Sequence, residues 1–286
     1  MMTYASSHAI VSTEWLENHL EAPDVRVVDA TWYMPASGRD GRAEYDREHI
    51  PGAVYFDIND IADSASPFPH MLPDSVKFSS KVRKLGLGDG NHIVVYDRSG
   101  GGMAAARVWW MFRYFGHDDI SVLDGGITKW LREGRPTRDL PPMPRERYFT
   151  PYVNQLLVRN KEQMLANLQS RHDQIVDARS AARFAGQEKE PWPHKKVGHI
   201  PNAINVPWNQ LIDETDKSLL PIEALRARFL AAGVDLEKPI AASCGSGVSA
   251  CVLALALHLL GKTDVAVYDG SWAEWGLADE TPVATE

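Results

Sequence analysis

Cysteine is nearly absent: only Cys244 and Cys251 occur in 286 residues. That excludes a disulfide framework, and their spacing matches no zinc-binding or CxxC redox pattern, leaving one reactive and one buried thiol as the simplest reading. Positive charge is also scarce, 30 Lys and Arg against 38 Asp and Glu for a net charge of −8. The chain therefore offers no general attraction to nucleic acid or to an anionic membrane, and any anionic ligand needs a local cationic site. Long apolar runs are missing too. The longest candidate, Val252 to Leu260, falls far short of the ~20 residues that span a bilayer. Met1 to Thr13 carries neither a basic start nor an apolar signal core, so a cytoplasmic location is the default expectation. No Gly-rich nucleotide motif and no His/Cys cluster is present, and neither cofactor nor metal is expected.

What the chain does contain is a repeat. His49-Ile50-Pro51-Gly52-Ala53 returns 150 residues later as His199-Ile200-Pro201-Asn202-Ala203, Val28-Asp29-Ala30 returns as Val176-Asp177-Ala178, and the Asp124-Gly125 pair returns as Asp269-Gly270. Short apolar runs alternate with amphipathic segments in both copies. Strands are expected at 25–29, 93–96 and 121–123 and again at 175–177, 240–243 and 265–268; helices are expected at 79–85, 104–115, 163–169, 222–232 and 249–260. That order predicts an α/β class, with two tandem domains each built on a small parallel sheet flanked by helices. The stretch from Gly134 to Pro151 holds five prolines and reads as an extended, semi-rigid linker. The expected boundaries are 8–135, 136–155 and 156–283.

The copies differ where a nucleophile would sit. Ile93-Val94-Val95-Tyr96 leads to Asp97, and Ile240-Ala241-Ala242-Ser243 leads to Cys244. Ligands of such sheets bind beyond the carboxyl ends of the strands. Cys244 opens a loop, Gly245-Ser246-Gly247-Val248-Ser249-Ala250, whose glycines let successive amides face inward and which runs into a helix N-terminus, an environment that favours ionised sulfur. Cys251 lies a turn into an apolar helix and reads as core. His49 and His199, like Asp29 and Asp177, recur in both copies, including the one without a thiol, and read as fold-level hydrogen-bonding groups. Trp109, Trp110, Trp130, Trp272 and Trp275 read as core.

Cys-Gly-Ser-Gly-Val-Ser resembles the active-site loop of the rhodanese superfamily, in particular its 3-mercaptopyruvate sulfurtransferases. Further segments carry the resemblance along nearly the whole chain: the paired His-Ile-Pro-x-Ala runs, Ser66-Pro67-Phe68-Pro69-His70-Met71-Leu72-Pro73, Arg107-Val108-Trp109-Trp110-Met111, and Asp269-Gly270-Ser271-Trp272-Ala273-Glu274-Trp275. It implies two rhodanese domains, the first catalytically silent, with the active site in the cleft between them. Phosphatases of similar fold have a longer loop ending in arginine, and this loop ends in Ser249-Ala250. Thiosulfate-preferring members carry basic residues just after the cysteine, where Gly245 and Ser246 are neutral.

The implied reaction transfers one sulfur atom from 3-mercaptopyruvate through a Cys244 persulfide to thioredoxin, a small thiol or cyanide, releasing pyruvate. Two alternatives stand beside it: a thiosulfate:cyanide sulfurtransferase, and a persulfide carrier or redox sensor without meaningful turnover. The resemblance further implies a proton relay from Ser246 to His70 and an acidic partner. The family reads Phe-Asp-Ile-Asp where this chain has Phe56-Asp57-Ile58-Asn59-Asp60, so either Asp60 takes that part or Asn59 merely orients His70. Arg183 and Arg107 are the expected substrate-binding arginines. A second family arginine, in Glu-Pro-Arg, is replaced in Glu190-Pro191-Trp192; either Lys195 or Lys196 reaches in, or Trp192 reshapes the pocket.

Overall fold

The computed structural model describes residues 8–285. Two five-stranded parallel sheets carry the fold. The first, in spatial order β1-β5-β4-β2-β3, is built from β1 (Ile10–Val11), β2 (Val25–Asp29), β3 (Val54–Tyr55), β4 (His92–Tyr96) and β5 (Ile120–Leu123). The second repeats that order as β6-β10-β9-β7-β8, from β6 (Val158–Arg159), β7 (Gln174–Asp177), β8 (Ile204–Asn205), β9 (Ile240–Ser243) and β10 (Ala266–Tyr268). The central strands are apolar along their length because helices cover both faces. In the first half these are α1 (Thr13–His19), α2 (Gly41–Arg47), α3 (Ser75–Lys84), α4 (Met103–Tyr114) and α5 (Gly126–Arg132). The second half has α6 (Lys161–Ser170), α7 (Ala181–Phe184), α8 (Ile222–Ala231), α9 (Ala250–Leu259) and α10 (Ser271–Trp275).

Helix starts follow their caps. Asp74 accepts from Lys77 N and begins α3 at Ser75, four residues before the expected start at 79, and Asn160 with Gln163 forms a capping box that begins α6. Every residue of α9 is buried, as expected of a helix apolar on all sides. It packs against α4, and this pair joins the halves through one continuous core containing Trp109, Phe112, Val252 and Leu255. Residues 139–154 form no helix or strand. That segment lies along the first half, with Phe149 buried among Phe78, Phe112 and Phe115.

The repeated residues hold turns. His49 Nδ1 bonds Tyr45 O at 2.8 Å and His199 Nδ1 bonds Phe184 O at 2.9 Å. Gly52 and Asn202 occupy the same left-handed position, at φ 78° and 66°, which both residue types tolerate. Asp29 and Asp177 each accept a backbone N–H two residues on; Asp177 also forms an ion pair with the buried Arg179, whereas Arg98 acts on Asp29 only weakly and without an ion pair among the described residues. Burial pushes the Asp29 carboxyl up to about 6, against the smaller opposing effect of its Thr31 hydrogen bonds, and its Oδ2 has no partner. An acid with a raised folded pKa binds more protons folded than unfolded between the two values, so its ionised form costs stability above that window. Asp29→Asn keeps the bond from Thr31 and removes the charge. It should raise the melting temperature by several degrees at about pH 8 and by nothing below about pH 4, and a pH-independent or negative shift in thermal melts would contradict this.

Candidate active site

The cysteine loop is fixed at its base. Cys244 N donates to Ser271 Oγ at 3.1 Å, Trp272 N donates to Cys244 O at 3.0 Å, and Ala273 N donates to Gly245 O at 2.8 Å. Gly247 has φ 74°, and a Cβ there would lie 2.6 Å from Asp269 O, so the turn requires glycine. Beyond that base, the N–H groups of residues 245–250 donate to no protein acceptor among the described residues. They lie at the N-terminus of α9, where peptide dipoles add partial positive charge. The arrangement suits an anion at the mouth of the loop.

Cys244 is only 1% exposed, yet it lines a cleft of about 190 Å3 between the halves. The first half contributes Trp32, Met34 and Met103 to the cleft wall, and the second contributes Trp192, Trp208 and Arg183. The side chain of Arg183 lies over the loop, with Nη2 2.7 Å from where a Cβ on Gly245 would be. Its Nε donates to Glu190 Oε2 at 3.0 Å, and Nη2 contacts the same oxygen. Arg179 Nη1 takes the other Glu190 oxygen at 2.6 Å.

His70 comes from the other half of the molecule, and its Nδ1 lies 3.0 Å from Ser246 Oγ. The ring sits edge-on between Trp32 and Trp192, at centroid distances of 4.8 and 5.4 Å. Burial, with the Arg107 charge adding to it, pushes its pKa down to about 3. The imidazole is therefore neutral at physiological pH and serves Ser246 as a hydrogen-bond partner, not as a cation.

Cys244, Ser246, His70 and Arg183 thus converge as the sequence suggests, and other expectations are corrected. Asp60 is exposed and binds Lys81 through both oxygens, at 2.6 and 2.7 Å. Asn59 is exposed as well, its N–H capped by Asp57. Neither is hydrogen-bonded to His70 among the described residues, so no acidic partner comes from this segment. Arg107 cannot bind substrate: it is fully buried, held by Asp269, His70 O and Gly247 O. Lys195 pairs with Asp279, and Lys196 binds Ala278 O and Thr281, so neither turns into the cleft; Trp192 shapes it instead. Glu190, Asp269 and Ser271 are site residues the sequence reading missed. All three lie in segments compared with the family, and Asp269 had a further signal as half of the repeated Asp-Gly.

The equivalent first-half loop carries a carboxylate in place of the thiol. Asp97 Oδ1 accepts from Ser99 N at 2.9 Å and Oδ2 accepts from Ala105 N at 2.9 Å. The built-in carboxylate thus holds backbone N–H groups of its own loop and of α4.

The rhodanese-like domain family matches residues 12–133 and 160–278. The 3-mercaptopyruvate sulfurtransferase of Homo sapiens is 43% identical over 272 residues, covering 93% of this chain and 91% of the relative. The thiosulfate sulfurtransferase of Bos taurus is 45% identical over 273 residues with the same coverage. A crystal structure of a 3-mercaptopyruvate sulfotransferase from Escherichia coli superposes with a TM-score of 0.85 at 38% identity, covering 93% of this chain and 99% of that one. With a thiol in one copy of a duplicated parallel sheet, a carboxylate in the other and this likeness along nearly its full length, the chain belongs to the rhodanese family and is a sulfurtransferase.

Proposed function

We propose that the donor is 3-mercaptopyruvate and that Cys244 carries its sulfur as a persulfide. The observation that supports this reading is the charge of the cleft. Among the described residues Arg183 is the cation lining it, and Glu190 already shares that charge, while Gly245 and Ser246 are neutral and the walls are aromatic or thioether. A dianion such as thiosulfate calls for more positive charge than this; a monoanionic keto acid matches one guanidinium fork.

Cys244 thiolate attacks the sulfur of the donor. The S–S bond forms as the donor C–S bond breaks, and that electron pair passes into the pyruvate enolate. Ser246, with neutral His70 behind it, carries the donor's thiol proton to the enolate carbon, so pyruvate leaves and both groups end as they began. The outer persulfide sulfur remains as the anion, held by the loop N–H groups. An acceptor thiolate (a small thiol or thioredoxin) or cyanide then attacks that sulfur and restores Cys244.

Rates with the two donors at matched cyanide concentration test the choice. The expected kcat/KM for 3-mercaptopyruvate exceeds that for thiosulfate by at least about 10-fold. A clear preference for thiosulfate would overturn the donor assignment and leave the persulfide chemistry standing.

A further inference from the structure

We propose that Arg107 and Asp269 form a cross-domain clasp that positions His70 against the cysteine loop, two positioning residues for the reaction that touch no substrate. The proposal rests on the sulfur-transfer reading above. Arg107 stands on α4 of the first half and Asp269 follows β10 of the second, and their side chains meet at 2.7 Å, both buried. Their remaining bonds fall at His70 and just after it. Arg107 Nη2 donates to His70 O at 2.5 Å, and Leu72 N donates to Asp269 Oδ2 at 2.7 Å. Arg107 Nη1 donates to Gly247 O at 3.2 Å, inside the cysteine loop. One ion pair thus fixes the backbone from the carbonyl of the histidine to the amide two residues on, and the turn that carries Ser246. His70 needs such support, because its φ of 60° lies in the left-handed region that a non-glycine residue occupies at a cost.

The repeat separates this arrangement from ordinary fold support. In the first half Asp124 stands where Asp269 does in the second, and Leu219 N donates to Asp124 Oδ1 across the domains at 2.9 Å, the mirror of Leu72 N on Asp269. Lys217, two residues before Leu219 as His70 is before Leu72, is also left-handed at φ 63°. The aspartate, its cross-domain amide and the strained turn are therefore duplicated. The guanidinium is not: ten residues beyond Asp97 stands Arg107, and ten beyond Cys244 stands Ala254. Arg107 of α4 reaches the Cys244 loop and His70, and the equivalent position of α9 is an alanine with no such group, so the arginine serves the half of the interface where the thiol and histidine meet. At the other half the cross-domain cations among the described residues are Lys129 and Arg132 of α5, which reach Asp216 and Thr215 and not a buried aspartate beside a histidine. A single ammonium could not replace Arg107, because three acceptors in three segments require a planar fork.

The test measures persulfide formation with 3-mercaptopyruvate for Arg107→Met, Arg107→Lys and Asp269→Asn, each with His70 intact and in a His70→Ala background. With His70 present, each variant should lose on the order of 10-fold or more in kcat with KM nearly unchanged, Arg107→Lys recovering little. In the His70→Ala background the further loss should be clearly smaller, several-fold less than with His70 present, since most of the clasp acts through that side chain and only the bond to Gly247 O acts on the loop directly. The imidazole 15N signals of His70 should shift in Asp269→Asn, as they should in Ser246→Ala. Equal losses in both backgrounds, an effect confined to KM, or unshifted His70 signals would each overturn the clasp. If the arginine variants do not fold, the near-isosteric Asp269→Asn carries the same comparisons. Absence of persulfide in the unmodified protein would instead sink the sulfur-transfer reading, and the His70 spectra would still decide the clasp.

Discussion

Cys244→Ser should leave sulfur transfer at background, a loss on the order of 10⁴-fold or more, with the melting temperature little changed. The hydroxyl fits the space of the thiol and leaves the Cys244 backbone bonds to Ser271 and Trp272 intact. What it cannot do is attack sulfur: an alcohol is barely ionised where a thiol is appreciably so, and a hard oxygen forms no persulfide. Cys251 is the internal control. Burial pushes its thiol up to about 12, against the opposing charge of Arg107, and its Sγ donates to Gly247 O at 3.2 Å. A group so protonated and walled off is no nucleophile, and Cys251→Ser should keep turnover within a few-fold. Steady-state pyruvate release checks both variants. Activity surviving in Cys244→Ser, or vanishing in Cys251→Ser with the fold intact, would contradict the assignment.

The second large effect falls on Arg183. Its removal takes the cation from the cleft and leaves Glu190 balanced by Arg179 alone, so an anionic donor loses a partner and meets a carboxylate with less compensation. Arg183→Ala should lower kcat/KM for 3-mercaptopyruvate by about 10²-fold or more, chiefly through KM, as expected for loss of a charge-assisted contact made by substrate and transition state alike. Transfer from the preformed persulfide to cyanide should change far less, because that step involves no donor carboxylate. Single-turnover measurements of the two half-reactions separate these effects. A fall in kcat at constant KM would place Arg183 in the chemical step instead.

The residues that sequence reading located are those with local signals. Strands β2, β4, β7 and β9 are runs of apolar residues bounded by turn-formers, and β2 and β9 fall on the expected residues. The Cys244 loop announced itself through its glycines and the helix behind it. The edge strands did not: β1, β3, β6 and β8 are two residues each, too short to show a period, and they exist because a neighbour supplies the ladder. Helix α5 starts at Gly126 behind Gly125 as its cap, and two glycines give no side-chain start signal. The acidic partner sought for His70 failed for a different reason. Position in a motif does not say which way a side chain turns, and Asp60 turns to Lys81 at the surface. Arg107 was misjudged similarly: an arginine in a motif suggests an anion to bind, and here the anion is Asp269 of the other half. Contacts such as Glu190 with Arg179 and Arg183 depend on how loops fold back, which no period or spacing encodes.

The account depends on Cys244 being the atom that holds transferred sulfur. Intact mass after brief treatment with 3-mercaptopyruvate in the absence of acceptor measures this directly. The expected result is a gain of one sulfur atom in the unmodified protein and in Cys251→Ser, none in Cys244→Ser, and loss of the added mass when cyanide is supplied. Added sulfur that persists in Cys244→Ser, or no added sulfur in the unmodified protein, would contradict it.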